Sequence, residues 1–282
     1  MAGIYIHIPF CNQACYYCDF HFSVSKRNRI AFLQALVKEL EMQKNFFSGE
    51  IIETIYFGGG TPSVLQISQV EKLLDTCFSI FPVTENPEIT FEANPDDLSS
   101  NYLNALKKNG INRLSIGVQS FHNEHLKFMN RRHNVEEAIE AVKNAQIIGF
   151  ENINVDLIYG YNELTNKQWI SNIKKSVELK VQHVSAYYMT VTENSIFNRW
   201  IKRGNMKEPD DEKVEEQYFL LTEIMDNYDF DHYEISNFAR PGFYSIHNSN
   251  YWLNKEYLGI GPSAHSRSEE RRVGKECATG CR

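Results

Sequence analysis

Three cysteines, Cys11, Cys15 and Cys18, fall close together in the run HIPFCNQACYYCDF, spaced C-x3-C-x2-C. Thiols at that density are suited to metal chemistry, and their number narrows it. A structural zinc site takes four ligands. A disulfide framework takes an even set at wider spacings. A cubane of four irons takes one ligand per iron, so three cysteines leave one iron open to a small molecule. The triad therefore points to an iron–sulfur site that binds something.

Other residues with chemical capacity recur at regular intervals down the chain. Gly58-Gly59-Gly60-Thr61-Pro62-Ser63 is a run where backbone groups lie bare and a ligand can approach closely. It lacks the lysine and the spacing of a phosphate-binding loop, and a tight turn accounts for it equally well. Glu92 (in FEANP), Gln119 and Ser120 (in GVQSF), and Asp156 (in DLIYG) each sit at or near the end of an apolar stretch. Buried carboxylates there need partners. A ligand carrying an ammonium, ribose hydroxyls and a sulfonium would supply them; a neighbouring Arg or Lys would also. Arg131 or Arg132, in MNRRHN, is placed to bridge those carboxylates or to clamp a ligand carboxylate. Tyr5 alternates with Ile4 and Ile6 and so faces away from them, toward a site or into a second core.

The elements that must hold these residues alternate strand and helix. Strands are expected at 4–8, 51–57, 88–92, 113–118, 153–158 and 183–189. Helices are expected at 28–44, 70–81, from Ser99 or Ser100 to Gly110, 135–148, 167–179 and 212–227. Ile30, Leu33, Leu36, Val37 and Leu40 share one face of the first helix. Asn134 caps the helix over 135–148, Glu136 and Glu137 complement its dipole, and Gly149 stops it. Six β-α units in series predict a parallel sheet, closed or partly closed into a barrel. The chemically capable residues then fall at the C-terminal ends of successive strands, the face that carries chemistry in such barrels. The segment from His232 to Gly261 is rich in aromatics and starts a different region.

Composition sets the outer bounds. The chain has 282 residues, a formal charge of −7 and a pI near 5.8. No basic run would track a phosphate backbone, which argues against nucleic acid. No apolar stretch approaches the roughly 20 residues of a spanning helix, and no signal-peptide pattern opens the chain. The expectation is a cytoplasmic protein whose thiols stay reduced and free for metal. Cys77, within VEKLLDTCFSIF, reads as a plain core residue. Residues 267–282, RSEERRVGKECATGCR, have few apolar residues and look like a translated sequencing-adapter oligonucleotide. They are read as a non-native tail, with a solvated basic tail as the alternative, and Cys277 and Cys281 are left out of the ligand set.

The constellation as a whole resembles the radical S-adenosylmethionine (SAM) superfamily over about residues 1–266. The resemblance implies a partial (β/α)6 TIM-like barrel of the α/β class. Cys11, Cys15 and Cys18 would hold a 4Fe–4S cluster whose fourth iron is chelated by SAM. Tyr17 would meet the adenine, and Gly59, Gly60 and Thr61 the methionine end. Tyr5, Glu92, Gln119, Arg131 and Asp156 match positions around the nucleoside and amino acid. YIHIPFC, FGGGTPS, FEANP and GVQSF look like the oxygen-independent coproporphyrinogen dehydrogenase branch. The true dehydrogenases carry a fourth cysteine two residues after the third, where this chain has Phe20, and an N-terminal arm that the sequence lacks. Those differences favour the heme-chaperone kind. His247-Asn248-Ser249-Asn250-Tyr251-Trp252 matches that kind's HNxxYW signature, which makes His247 the implied heme ligand. For a lone histidine, a half-buried place beside aromatics is the plainer reading.

The sequence departs from the family at DLIYGYNELTNKQW, where relatives have a proline and glycine, and after GIGPSAHS, where relatives continue into a small accessory domain. The expected organisation is a radical SAM barrel over 1–230, the start of a heme-binding region over 231–266, and the tail. The expected function is delivery of heme to hemoproteins of the respiratory membrane, from the cytoplasm or peripherally at the inner membrane. Whether the chain is an enzyme, and whether it forms a homodimer, stay open. The rivals are radical decarboxylation of coproporphyrinogen III, radical degradation of heme, and a barrel that keeps a cluster only for stability.

Overall fold

A computed structural model describes residues 1–25, 27–268 and 272–274. Six strands with helices between them open the chain. They are β1 (Ala2–Ile8) and α1 (Arg29–Met42), β2 (Ile52–Gly59) and α2 (Ile67–Ile80), β3 (Val83–Ala93) and α3 (Ser100–Lys108), then β4 (Arg113–Gln119) followed by α4 (Asn123–Phe128) and α5 (Val135–Ile148). β5 (Asn152–Tyr159) and α6 (Asn166–Glu178) lead to β6 (His183–Tyr188). Beyond them come α7 (Ile196–Lys202), α8 (Asp211–Asn227), β7 (Asp231–Glu234), β8 (Asn237–Ala239), α9 (Ile246–Trp252), β9 (Tyr257–Ile260), β10 (His265–Arg267) and β11 (Arg272–Gly274).

All strands belong to one open sheet, ordered β11-β10-β9-β1-β2-β3-β4-β5-β6-β8-β7. Strands β1 to β6 run parallel in sequence order. β9 adds a parallel strand beside β1, and β8 an antiparallel one beside β6. The expected partial barrel is thus what the chain forms, and strands from 231–266 extend both of its edges. Inner and outer residues alternate along each strand. Ile4, Ile6 and Ile8 of β1 face the helices and are fully buried. The same holds for Ile55 and Phe57 of β2 and for Leu114, Ile116 and Val118 of β4.

Local signals explain why the helices stop and start where they do. Asn134 and Glu137 form a reciprocal capping box at the start of α5, and Gly149 ends it at a φ of 97°. Thr165 and Gln168 do the same for α6, and Ser99 accepts the Tyr102 N–H at α3. In α1 the buried face is centred on Leu36 and Leu40, and Ile30, expected on that face, is 71% exposed in the first turn. Of the segment read as a tail, Arg267 closes β10 and 272–274 form β11; Cys277 and Cys281 lie outside the described residues. Among the described residues no helix is long and apolar enough to cross a membrane.

Candidate functional site

A cavity of about 520 Å³ runs through the barrel interior, from the cysteine loop after β1 to Asn248 on α9. That lies within the ~300–1,000 Å³ typical of small-molecule pockets. Cys11, Cys15, Cys18, Tyr17, Gly59, Gly60, Thr61, Glu92, Gln119, Arg131 and Asp156 all reach its wall. Tyr5, Ser120, Arg132 and His247, also singled out from sequence, do not reach it. Tyr5 bonds His7 Nδ1 at 3.3 Å and lies beside the Tyr56 and His247 rings.

The cysteine loop is tied down from several sides. The Cys11 N–H donates to Ser23 O, Asn130 Nδ2 to Ala14 O, and Gln13 Nε2 to Asn130 O. The amides that open α7, of Ile196 and Phe197, both donate to Tyr16 O. His7 Nε2 meets His21 O at 3.0 Å. Two donors turn toward the sulfurs: Thr61 Oγ1 to Cys11 Sγ and Arg131 Nη1 to Cys15 Sγ, each at 3.3 Å. Burial raises the Cys11 thiol, and burial followed by its cysteine neighbours pushes Cys18 up to about 12. Without metal these thiols hold their protons, and metal binding would release them. Among the described residues no three His, Cys, Asp or Glu side chains converge as a site for a metal ion. A loop that spreads three thiols along one cavity wall suits a cluster, in which each thiolate takes a different iron.

Of the two arginines, Arg131 lines the cavity. Its Nη2 donates to Asn94 Oδ1 at 2.6 Å and to Gly117 O at 2.7 Å, and Nη1 reaches Tyr17 OH at 3.4 Å. Its Nε is buried without a partner. Arg132 instead pairs with Asp96 and Asp97.

The two carboxylates are half-buried and, among the described residues, form no salt bridge with an Arg or Lys, although Arg113 acts on both from farther away. Glu92 accepts from Tyr56 OH at 2.8 Å and from the Gly59 N–H at 3.2 Å. Asp156 accepts from Asn154 Nδ2 at 2.7 Å and from Ser115 Oγ at 3.2 Å. The unusual loop after β5 leaves Asp156 in register, paired with Ser185, because the strand continues to Tyr159. Gly59 sits at a φ of 107°, and a Cβ there would lie 2.6 Å from the His7 ring, so only glycine presents its N–H to Glu92 in this way.

Burial, then the nearby Asp156, lifts Glu92 from 4.5 to about 7, against the two hydrogen bonds it accepts. The folded chain therefore binds a proton that the unfolded chain has released between those pH values. Stability contributed at this site falls as pH rises from 4.5 to 7. The Glu92→Gln variant is expected to gain on the wild type across that window, by up to about 3 kcal/mol, in urea denaturation of the cluster-free chain. A stability difference that does not change with pH would contradict this.

Several wall residues were not anticipated: Tyr56, Asn94, Arg113, Ser115, Asn154 and Ser185. Counting back in twos from Gln119 and Asp156 reaches Ser115, Arg113 and Asn154, so the signal was strand periodicity. Arg113 is 1% exposed and its Nε has no partner. Unsatisfied guanidinium nitrogens, carboxylates without a salt bridge and bare backbone fit a ligand with both charges and hydroxyls, as SAM has.

His247 is placed differently. It is 2% exposed, its Nδ1 meets Thr54 Oγ1 at 2.7 Å, and its Nε2 meets Tyr251 OH at 2.9 Å. Burial, then Arg113, lowers it to about 3, so the ring is neutral. As arranged, neither nitrogen is available to an iron, and the residues do not fit heme in this conformation.

Comparison with known proteins places this geometry. The radical SAM superfamily profile matches residues 5–175. The heme chaperone HemW of Lactococcus lactis is 39% identical over 92% of this chain and 68% of its own length. HemW of Bacillus subtilis is 37% identical over 94% and 70%. Among solved structures, the coproporphyrinogen III oxidase HemN of Escherichia coli, a radical SAM enzyme, superposes with a TM-score of 0.81 at 26% identity. That match covers 94% of this chain and 64% of the HemN chain, so the chain spans less than two thirds of that enzyme. On these matches the chain belongs to the radical SAM superfamily and, within it, to the HemW heme-chaperone family.

Proposed function

We propose that this chain carries a 4Fe–4S cluster and SAM in the barrel cavity and captures heme for delivery to hemoproteins of the respiratory membrane. The observation that carries the reading is the position of the HNxxYW segment: it forms α9, which closes the same cavity that the three cysteines open. Cys11, Cys15 and Cys18 would hold the cluster, which with SAM supplies one-electron chemistry when bound. Arg131 lines the cysteine end of the cavity, its charge suited to a ligand carboxylate. Glu92 and Asp156 accept hydroxyl or ammonium protons, and the Gly59–Gly60 backbone lets the ligand approach. Tyr17 and Thr61 line the thiol side. Phe20 stands 68% exposed at the mouth, in the place where a dehydrogenase has its further cysteine.

The likeness to coproporphyrinogen III oxidase supports radical decarboxylation as the second reading. One experiment separates them. The chain is reconstituted anaerobically and titrated with hemin, following the Soret band for wild type and His247→Ala. Parallel samples with SAM and dithionite are assayed for decarboxylated porphyrinogen. Stoichiometric hemin binding that weakens at least about tenfold in the variant, with no porphyrin product, is the expected result. Turnover of coproporphyrinogen III without His247-dependent hemin binding would replace this reading with the second.

A further inference from the structure

The seat of His247 is built from contacts that reach far across the chain. Thr54 on β2 holds Nδ1, and the ring lies against Gly3 of β1, where a Cβ would stand 3.2 Å from Cε1. Glu88 on β3 accepts the backbone N–H groups of Ile246 at 3.0 Å and His247 at 2.9 Å. Asn250 Nδ2 donates to Glu53 Oε1 at 3.0 Å. Gly3, Glu53 and Thr54 lie near the N-terminal ends of their strands and Glu88 is paired level with Thr54, away from the cysteine loop that follows β1. Asn248, one residue on, faces the cavity itself.

The outer face of α9 has the reverse character. Trp252 is 62% exposed, Leu253 beside it 65%, and Ile246 45%. An ordinary surface helix buries its apolar stripe and shows polar residues to water. Here polar contacts face inward and much of the apolar surface faces out. Displacing the helix parts the His247 ring from Tyr5 and Tyr56 and the Tyr251 ring from Tyr257. It breaks a handful of hydrogen bonds, each worth about 0.5–1.5 kcal/mol net. The Tyr251 contact to Nε2 lies within the helix and would travel with it.

We propose that α9 is a withdrawable stopper. Seated, it closes the N-terminal end of the cavity and keeps the His247 imidazole from any iron. Withdrawn, it opens that end at Asn248 and brings out the imidazole beside the flat faces of Tyr251 and Trp252. The heme reading enters only through the identity of the incoming ligand. The seating itself is a property of Thr54, Glu88 and Glu53.

The test uses the full reconstituted chain and two conservative variants, Thr54→Val and Glu88→Gln. Without heme, amide hydrogen exchange over 246–252 and diethyl pyrocarbonate modification of His247 report the seat. In the wild type His247 is expected to react far more slowly than the exposed His232 and His265. Each variant is expected to speed His247 modification and exchange about fivefold, the effect of one lost hydrogen bond, and to speed hemin uptake in step. Unchanged modification and exchange in both variants would overturn the stopper. So would hemin binding through His247 while the amides of 246–252 stay as protected as before. If modification and exchange respond as expected but no form binds hemin, the stopper stands and the heme reading fails.

Discussion

Replacing Cys15 with alanine is expected to abolish cluster assembly while leaving the fold intact. Cys15 is half-buried on a loop, outside the apolar core, and its Sγ accepts from Arg131 Nη1 at 3.3 Å. A substitution there should change the stability of the cluster-free chain by less than about 1 kcal/mol. The cluster has no spare protein ligand: with one thiol gone, two irons lack a thiolate. Iron and acid-labile sulfide, measured after anaerobic reconstitution, should fall to background. Cys77 is the internal control. It is fully buried on α2, and burial alone pushes its thiol up to about 12. The Cys77→Ala variant should lose some stability and keep a full complement of iron. Equal iron in the wild type and the Cys15 variant would remove the cysteine loop from the account.

The second large effect is expected at Arg131. Its guanidinium joins four elements of the site at once: the Cys15 sulfur, Tyr17, Asn94 after β3 and Gly117 in β4. Burial works against its charge, but Tyr17 and Cys15 outweigh that and raise its pKa, so it stays cationic. Arg131→Leu should weaken SAM binding to the reconstituted chain by at least about 100-fold, the effect of removing a buried charge partner. Arg131→Lys should recover only part, because a lysine cannot reproduce the planar fork. Arg132→Leu should change SAM affinity by less than about threefold, because that arginine pairs with Asp96 and Asp97 and is partly exposed. Equilibrium dialysis with labelled SAM measures all three. Similar losses at Arg131 and Arg132 would mean that neighbourhood charge, and not the observed contacts, governs binding.

Much of the architecture was legible because the deciding signals are local. The bounds of α5 follow to the residue from Asn134, Glu137 and Gly149, which lie within its own turns. The β-α alternation, and the placing of Glu92, Gln119 and Asp156 near strand ends, needed only periodicity. Where the signal was short or long-range, it was lost. β3 begins at Val83, five residues before the expected start, since VTENP has the polar, proline-broken look of a loop and is held by pairing with Ile52. α4 and α7 are too short to show a helical repeat. Arg113 shares the Gln119 face of β4, but periodicity alone does not single out an arginine at the start of a strand.

His247 shows the same limit at the site itself. The motif around it is contiguous and easy to see. Its two fixing partners, Thr54 and Glu88, lie 193 and 159 residues earlier in the chain. No local pattern could show that the ring is seated and its nitrogens engaged. Tyr5 fell on the inner face as alternation required, and the Tyr56 ring beside it takes the place on the cavity wall.

The central claim is that one cavity joins three thiolates to a ligand site built by Arg131, Glu92 and Asp156. The most direct measurement is the electron paramagnetic resonance spectrum of the reduced, reconstituted chain, recorded before and after SAM is added. A cluster held by three cysteines should contain about four irons per chain, and its spectrum should shift on SAM addition. The shift should be lost in Arg131→Leu at the same SAM concentration. A spectrum that SAM leaves unchanged in the wild type, at full iron content, would contradict the account.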